Sequence, residues 1–324
     1  MAELTYRGAV TEALAQEMQR DPLVMLIGED VGAAGGVFKA TPDLYAQFGP
    51  ERVRDTPIAE QAILGLAMGA AMTGIRPVAE IMFSDFLAVC WDLVANQIAK
   101  TRYMTAGQVA LPLVIRTANG GGLRFGAQHS QSVESWAMQV PGIKVVAPSN
   151  PADMKGLLAA AIRDPDPVLV FEHKALYPVK GWVPDGEHVV PLGEAATVTD
   201  GADATIVALA AMVPVAMAAA EILADDGIRV SVIDLRTLVP LDMSTVLASV
   251  RRTGWLFTVE ENPRMGGWGA EVASIVAEEG IDDLSGPIIR ITSPHVPLPA
   301  AENLEALALP SPERVAATVR RALR

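Results

Sequence analysis

Short apolar runs alternate with helix-forming segments along almost the whole chain. In the first half, apolar runs predict strands at residues 24–27, 77–83, 113–115, 142–146 and 168–171. Helices are predicted at residues 6–19, at 85–104, and after Thr56 and Asn150. Apolar strands separated by helices are typical of a parallel sheet that is covered on both faces. The sequence therefore predicts an α/β fold with mainly parallel sheets flanked by helices.

The alternation stops once, between residues 177 and 192. This polar stretch is rich in proline and glycine, which interrupt regular elements. Beyond it, strands are predicted at 205–209, 229–234, 256–259 and 288–291, and helices at 213–224, 242–251, 267–279 and from Pro312. A chain of 324 residues suits two domains. We expect a first domain over residues 1–176, a linker over 177–192 and a second domain over 193–324.

The charge and hydrophobicity of the chain indicate which kinds of molecule it can bind. The formal charge of −13 disfavours nucleic acids and anionic lipid surfaces. Hydrophobic residues make up 51% of the chain but aromatic residues only 5%, which fits either an alanine-rich core or an obligate oligomer with large apolar faces. The N-terminus lacks the basic region and apolar segment of a signal peptide, and the uncharged run 204–220 divides into strand, turn and helix. A cytoplasmic chain without a membrane span is expected.

Glu60 is a lone carboxylate that precedes an uncharged run, residues 62–75. With Asp55 or Thr56 as the N-cap and Pro57 in the first turn, a helix is predicted to start here. Glu60 lies four residues after Thr56, whereas a capping-box glutamate lies three after its cap. A carboxylate that loses solvent has a raised pKa or binds a group that needs it. A ring nitrogen of a cofactor would be such a group.

Three more candidates lie just after predicted strands, where open α/β sheets bind ligands. Glu29 follows the first strand, Phe86 follows the strand that ends at residue 83, and His129 lies in the loop beyond strand 113–115. Alternatives remain open for all three: solvated turn charges at Glu29 and Asp30, core packing of Phe86 with Met82 and Phe83, and a structural role for His129.

No pattern for a metal, phosphate or nucleophile site is found. The other histidines are isolated, and the chain has no Cys-x-x-Cys pair, Gly-x-Ser-x-Gly elbow or Walker loop. The glycine run 120–122 lacks the spacing of a dinucleotide fingerprint. The single cysteine, Cys90, lies among apolar residues and is interpreted as core rather than as a nucleophile. The chain has no evident means of holding a diphosphate.

Several motifs together indicate a family. The chain resembles the beta subunit of the thiamin-diphosphate-dependent first component of 2-oxo acid dehydrogenase complexes, collinearly over nearly its whole length, in Gly28-Glu-Asp-Val31, Gly36-Val-Phe-Lys39, Asp55-Thr-Pro-Ile-Ala-Glu-Gln61, Arg76-Pro-Val-Ala-Glu80, Gln128-His-Ser-Gln131, Pro141-Gly-Ile-Lys-Val-Val146, Asp234-Leu-Arg-Thr237 and Pro240-Leu-Asp242. The resemblance implies a transketolase-like pyrimidine-binding domain followed by a transketolase C-terminal-like domain. It also implies an alpha2beta2 heterotetramer with a beta–beta contact and with the cofactor between subunits. The alpha chain would bring Mg²⁺ and the diphosphate through a Gly-Asp-Gly motif, which this sequence lacks.

The resemblance also implies roles for individual residues. Glu60 matches the glutamate that hydrogen-bonds a pyrimidine nitrogen of thiamin diphosphate, and thereby favours the imino tautomer that deprotonates the thiazolium carbon. Met82 and Phe86 match positions that pack on the aminopyrimidine. Glu29 matches an acidic residue of a proton relay between paired sites. His129 matches a histidine near the substrate and the lipoyl group.

Two finer expectations follow from the resemblance. Residues 160–167 are similar to a loop that holds a structural potassium ion in several members, with oxygen ligands expected from Leu113, Ala161, Ile162, Asp164 and Asp166; an ordinary helix end at Pro165 is the alternative. Residues 81–86, 122–124, 148–151, 171–174 and 261–264 look most like acetoin dehydrogenase beta subunits, and pyruvate and branched-chain types are close.

These implications give the function that we expect. The chain would assemble with an alpha subunit, cleave acetoin or decarboxylate a 2-oxo acid, and pass the acyl unit to a lipoyl group. Residues 193–324 would contact the basic subunit-binding domain of the acyltransferase core, to which an acidic chain is suited. A single-chain transketolase-like enzyme is excluded by length. An assembly subunit with a dead site and a flavodoxin-like binding module are the non-enzyme alternatives.

Overall fold

A computed structural model describes residues 1–324, which divide into two compact units. The first unit comprises residues 1–119 and 136–192, and the second comprises 120–135 and 193–324. This division differs from the expected boundaries in two places. Residues 120–135 belong to the second unit although they lie inside the expected first domain, 1–176. The expected linker, 177–192, is part of the first unit.

The elements of the first half alternate much as the sequence predicts. The strands are β1 (Ala2–Thr5), β2 (Val24–Gly28), β3 (Val53–Asp55), β4 (Arg76–Phe83), β5 (Val114–Asn119), β6 (Lys144–Val146), β7 (Val168–His173) and β8 (Lys180–Val183). The α-helices are α1 (Tyr6–Arg20), α2 (Leu44–Phe48), α3 (Glu60–Met72), α4 (Leu87–Asp92), α5 (Ala99–Met104), α6 (Glu134–Met138) and α7 (Pro151–Arg163).

The main sheet of the first unit runs in the order β6–β7–β5–β4–β2–β3. Every pairing between these strands is parallel. All residues of β5 and β7 are buried, as in sheets covered on both faces. The predicted parallel α/β fold is therefore confirmed. Because the strands are parallel, the carboxyl ends of β2, β4, β5 and β7 lie along one edge, where such sheets bind ligands.

Residues 177–192 are held to the N-terminus of their own unit. Strand β8 pairs with β1 in antiparallel register, with Ala2 opposite Val183. The Tyr6 N–H also donates to the Val179 carbonyl at 2.8 Å. These backbone hydrogen bonds tie residues 179–183 to the first residues of the chain.

The segment predicted as one long helix, 85–104, is irregular. Ser84–Phe86 is a 3₁₀ turn, α4 contains a non-helical Cys90, and Leu93–Ile98 is a π-helix that leads into α5. π-Helical turns are rare and are frequent at functional sites. The irregular segment begins directly beyond β4, so Phe86 lies at the carboxyl edge of the sheet.

The predicted start of the Glu60 helix is wrong. Helix α3 begins at Glu60 itself, and its N-cap, Ala59, makes no side-chain capping bond. Asp55 ends β3, and its carboxylate accepts from the Gly32 N–H at 2.6 Å instead of capping a helix. Glu60 therefore occupies the first turn of α3, where the helix dipole favours a negative charge.

The second unit repeats the α/β pattern on a smaller sheet. Its strands are β9 (Ala196–Thr199), β10 (Ala204–Ala208), β11 (Val230–Asp234), β12 (Thr237–Val239), β13 (Leu256–Pro263) and β14 (Ile289–Ser293), and its helices are α8 (Met212–Ala224), α9 (Met243–Thr253), α10 (Gly269–Glu279), α11 (Glu302–Ala308) and α12 (Pro312–Ala322). The sheet order is β14–β13–β10–β11–β9. All its pairings are parallel except that of β9 with β11.

The sequence predicted most of the second unit. The four apolar runs correspond to β10, β11, β13 and β14. Ser311 caps α12 as predicted, since its hydroxyl accepts from the Arg314 N–H at 3.2 Å. No helix in the chain combines the length and the hydropathy that a membrane crossing requires.

Candidate active site

Glu29 lies just beyond the carboxyl end of β2 and is buried, with 9% of its surface exposed. The loop that follows it is held by Asp55 through the Gly32 N–H. A Cβ at Gly32 would lie 2.6 Å from the Asp55 carboxylate, so this close approach requires glycine. The Glu29 carboxyl is thus held at the sheet edge.

Pairing of β2 with β3 brings Glu60 to the same place. Gly28 is opposite Asp55, and the Thr56 N–H donates to the Gly28 carbonyl at 3.0 Å. Burial raises the pKa of the Glu29 carboxyl, and the charges of Glu60 and then Asp30 raise it further. Glu60 is itself half-buried. The two carboxylates therefore interact, and no cation contributes to the shift at Glu29.

Two aromatic residues and a methionine lie at the carboxyl end of β4. Phe86 is half-buried and meets Phe83 edge to face, with ring centroids 5.5 Å apart. Phe83 in turn meets Phe38 at 5.4 Å, and the Lys174 ammonium lies 5.5 Å from its ring centroid. Met82 is also half-buried. Phe83 is a core residue, as one alternative proposed, whereas Phe86 and Met82 retain exposed surface.

Helix α3 is tied to the segment that carries Phe86. The Gln61 side-chain amide donates to the Val89 carbonyl at 3.0 Å. Cys90 is fully buried, and burial with a further contribution from the charge of Glu60 raises the pKa of its thiol to about 12. A thiol with that pKa is protonated at neutral pH and is not a nucleophile. The interpretation of Cys90 as core is confirmed.

A buried ionic cluster in the first unit was missed by the sequence analysis. The Arg116 guanidinium donates to both carboxylate oxygens of Glu172, at 2.6 and 2.8 Å, and forms an ion pair with Glu80. The Tyr177 hydroxyl donates to Glu172 at 2.9 Å. We call Glu80, Arg116, Glu172 and Tyr177 the arginine cluster. The available signal was one acidic residue within a predicted strand, Glu80, and two charged residues directly after predicted strands, Arg116 and Glu172.

The arginine cluster is next to Glu29 in the sheet. Glu80 pairs with Gly28 across β2 and β4, and a Cβ at Gly28 would lie 2.9 Å from the Glu80 Cβ. Burial raises the pKa of the Glu80 carboxyl, although Arg116 opposes the rise. The two carboxylates raise the pKa of the Arg116 guanidinium, so Arg116 stays charged. The arginine cluster thus links β4, β5 and β7 next to the Glu29–Glu60 pair.

His129 is placed in the second unit, in the loop that follows β5. The side chain is half-buried, and the backbone N–H of His129 donates to the Gly126 carbonyl at 3.4 Å. The base of the loop is closed by the Gly120 N–H, which donates to the Gln131 carbonyl at 3.0 Å. Glu29, Glu60, Met82 and Phe86 thus all belong to the first unit, while His129 belongs to the second unit.

Most oxygens of the expected potassium loop already accept hydrogen bonds. Arg76 Nη1 donates to the Ile162 and Asp164 carbonyls at 3.0 and 3.3 Å. The Leu113 carbonyl accepts from the Val168 N–H at 2.9 Å, and the Ala161 carbonyl from the Asp164 N–H at 3.3 Å. The side chain of Asp166 pairs with Arg102. A carbonyl oxygen has two lone pairs, so the potassium site stays a prediction.

These residues can hold one face of a planar, nitrogen-containing ring. The half-buried Glu60 carboxyl can hydrogen-bond a ring nitrogen, and Phe86 and Met82 can pack on the ring. The buried Thr56 hydroxyl, four residues before Glu60, has no hydrogen-bond partner. No group of three or more His, Cys, Asp or Glu side chains is placed to hold a metal ion. The residue types at this edge of the sheet suit the pyrimidine part of a thiamin cofactor.

Comparison with known protein families assigns both parts of the chain. Residues 2–180 match the pyrimidine-binding domain of transketolase, and residues 193–315 match the transketolase C-terminal domain. A solved structure described as a split-gene transketolase, an inactive β4 tetramer, has a TM-score of 0.80 at 27% identity over 99% of this chain and 98% of that chain. The transketolase-like fold is thereby confirmed.

Two curated relatives match over the full length. The beta subunit of acetoin:2,6-dichlorophenolindophenol oxidoreductase from Cupriavidus necator is 46% identical over 99% of this chain and 98% of its own. The chain belongs to the family of thiamin-diphosphate-dependent dehydrogenase beta subunits. Another member, the 2-oxoisovalerate dehydrogenase beta subunit from Bacillus subtilis, is 44% identical over the same shares of the two chains. The family inferred from the sequence motifs is confirmed.

Proposed function

We propose that this chain is the beta subunit of an alpha2beta2 first component that cleaves acetoin or decarboxylates a 2-oxo acid. It would then transfer the acyl unit to a lipoyl group of an acyltransferase. The observation that carries the proposal is the Glu29–Glu60 pair: the Thr56 N–H bond to the Gly28 carbonyl at 3.0 Å ties the segment before Glu60 to the strand before Glu29, and the charge of Glu60 adds to burial in raising the pKa of Glu29. A scaffold would not need such a pair, since unpaired buried carboxylates destabilise a fold.

Thiamin diphosphate, when bound, supplies the carbanion chemistry that breaks the bond next to the substrate carbonyl. Glu60 would hydrogen-bond a pyrimidine nitrogen and hold a proton on it. Phe86 and Met82 would orient the ring and exclude water from it. Glu29, whose pKa is raised by burial and by Glu60, would exchange protons with Glu60. The alpha subunit would hold Mg²⁺ and the diphosphate.

His129 would serve the acyl-transfer step. Its loop is polar, and the side chain is half-exposed, which suits a group that moves a proton near neutral pH. The assignment depends on the match of Gln128-His-Ser-Gln131 to the family motif.

The favoured substrate is acetoin, with pyruvate or a branched-chain 2-oxo acid as the alternative. Overall identity does not separate these substrates, since an acetoin-type and a 2-oxoisovalerate-type relative differ by only two points, 46% against 44%. The local motifs, residues 122–124 and 171–174 among them, favour acetoin.

The exposed face of α3 supports a subunit contact. Leu66 and Met72 are about half-exposed, and Ile58 just before the helix is 83% exposed. The helix bears no charge after Glu60. An uncharged, apolar helix surface is typical of a face that another polypeptide covers. We propose that a partner subunit, alpha or beta, covers it and shields Glu60.

The test is turnover of the purified chain with and without its co-expressed alpha partner. Acetoin, pyruvate and branched-chain 2-oxo acids are assayed against an artificial electron acceptor. We expect activity only in the heterotetramer, with acetoin as the best substrate. A heterotetramer that contains thiamin diphosphate but turns over none of these substrates would instead favour an assembly subunit with an inactive site.

A further inference from the structure

Two buried glutamates of the second unit bind the backbone of the loop that carries His129. Glu261 comes from β13 and Glu305 from α11, and both are less than a tenth exposed. Neither was a candidate in the sequence analysis. We call these two residues the loop clamp.

Glu261 joins the two ends of the loop. Its Oε1 accepts from the Gly121 N–H at 2.5 Å and from the Ser132 hydroxyl at 2.7 Å. Residues 121 and 132 flank His129, so one carboxylate oxygen fixes the loop on both sides of the histidine. Hydrogen bonds to an ionised acceptor are roughly twice as strong as neutral ones.

Glu305 holds the glycine-rich side of the loop. Its Oε1 accepts from the Gly122 N–H at 3.0 Å, and the Arg124 N–H donates to both oxygens, at 3.0 Å to Oε2 and at 3.3 Å to Oε1. Arg124 has a positive φ of 63°, a conformation that costs a non-glycine residue free energy. The hydrogen bond from the Arg124 N–H to Glu305 offsets this cost, because the bond forms only in the conformation that turns this N–H toward the carboxylate.

Two glycines of the run have backbone conformations that favour glycine. The φ angles of Gly120 and Gly122 are 86° and 85°, in the left-handed region that other residues rarely adopt. The Gly122 N–H is one of the groups that Glu305 binds. The glycine run, which carries no dinucleotide fingerprint, thus gives the loop the backbone shape in which it meets the clamp.

We propose that Glu261 and Glu305 are positioning residues that fix the His129 loop for acyl transfer. The inference rests on the proposed function for the role of His129, but the clamp itself can be measured without any activity. Neither glutamate would touch substrate or cofactor. Each would act through the backbone of residues 121–132.

The first test is hydrogen exchange of the heterotetramer with Glu305→Gln. The amide side chain offers one acceptor oxygen where the carboxylate offers two, so the Gly122 and Arg124 amides should exchange about tenfold faster. Glu302→Gln is the matched control, because Glu302 pairs with the Arg124 side chain at 2.9 Å but its side chain is 79% exposed. Equal protection of residues 120–131 in both variants would overturn the proposal.

The second test separates positioning from a general loss of structure. Acyl transfer to a free lipoyl domain and turnover with an artificial acceptor are compared in the same preparations, with His129→Ala as the reference. We expect Glu305→Gln to lower kcat for acyl transfer about tenfold, with KM for the lipoyl domain and artificial-acceptor turnover unchanged. A parallel loss of both activities would overturn the proposal.

Ser132→Ala is a milder variant that keeps both carboxylates. It removes one hydrogen bond to Glu261 and should produce a smaller change in the same two readouts. If the wild-type heterotetramer lacked acyl transfer altogether, the proposed function would fail while the exchange measurement would still decide whether the clamp exists.

Discussion

Two groups of acidic residues lie side by side at the carboxyl edge of the first sheet, and they differ in how their charge is balanced. In the arginine cluster, Glu80 and Glu172 share the guanidinium of Arg116, and Tyr177 adds a hydrogen bond. At Glu29, burial is the main cause of the raised pKa, and the charges that add to it, those of Glu60 and Asp30, are like charges. The arginine cluster therefore contains a cation of its own, whereas no cation is among the causes at Glu29, and we call Glu29 and Glu60 the unbalanced pair.

The difference in charge balance suggests different roles: the arginine cluster stabilises the fold, and the Glu29–Glu60 pair is the proposed site. A buried ion pair with good geometry fixes the relative positions of strands, and breaking it is costly. An unbalanced pair weakens the fold slightly but can bind a group that brings a proton or a hydrogen-bond donor. The sheet therefore carries an ion cluster with its own cation on β4, β5 and β7, and two like charges just beyond β2 and at the start of α3, which we propose as the site.

The largest expected effect comes from removing the cation of the arginine cluster. Arg116→Met leaves two carboxylates buried without their counter-charge and should lower the free energy of unfolding by about 3–5 kcal/mol. Urea unfolding of the purified chain measures it. Arg116→Lys, which keeps the charge but loses the two-pronged contact, should lose less. A change below about 1 kcal/mol for the methionine variant would contradict the scaffold role.

Glu60→Gln tests the opposite expectation for the unbalanced pair. Removing this charge relieves its repulsion of Glu29, so the free energy of unfolding at neutral pH should stay the same or rise by about 1 kcal/mol or less. Urea unfolding, compared with Arg116→Met under the same conditions, measures the contrast. A loss of stability similar to that of Arg116→Met would mean that Glu60 has a structural partner.

The pH dependence of stability tests whether the pKa of Glu29 is raised. Because the pKa of Glu29 is raised above its ordinary value of 4.5 in the fold, the folded chain binds more protons than the unfolded chain over a window that starts at that value. The free energy of unfolding should therefore fall as pH rises through this window. Glu29→Gln should reduce that fall but leave the part that comes from the raised pKa of Glu80, as measured by unfolding at about pH 5 and about pH 8. An unchanged pH profile would contradict the raised pKa.

Replacing Na⁺ by K⁺ should have the smallest effect on stability. If the loop at residues 160–167 binds the ion through its remaining lone pairs, replacing Na⁺ by K⁺ should raise Tm by about 2–4 °C. Arg76→Lys is a useful variant, because its single ammonium cannot reproduce the guanidinium contacts to Ile162 and Asp164. Identical Tm values in the two salts would argue for an ordinary helix end.

The sequence predicted β4, β7, β10 and β13 because each contains an apolar run, at 77–83, 168–171, 205–209 and 256–259. It missed β1 and β9, which are short and partly exposed and pair in antiparallel register with strands distant in the sequence. It also misplaced the start of α3, because the polar residues before Pro57 resemble a cap but Asp55 binds Gly32 instead.

The candidate site could be predicted only in part. Glu60 and Glu29 stood out by position, and their interaction depends on the pairing of β2 with β3, which no local pattern reveals. The ion pairs of Arg116 and the hydrogen bonds of the loop clamp join residues between 36 and 183 positions apart in the chain. Such contacts follow from topology, so sequence periodicity alone could not find them.

The most direct test of the account concerns the proton that Glu60 would hold on the cofactor. Exchange of the thiazolium C2 proton of bound thiamin diphosphate is followed by NMR in the alpha2beta2 assembly, with wild-type chain and with Glu60→Gln. We expect the variant to assemble and bind cofactor normally but to exchange at least about 10²-fold more slowly. Exchange at the wild-type rate would contradict the central role of the Glu29–Glu60 pair.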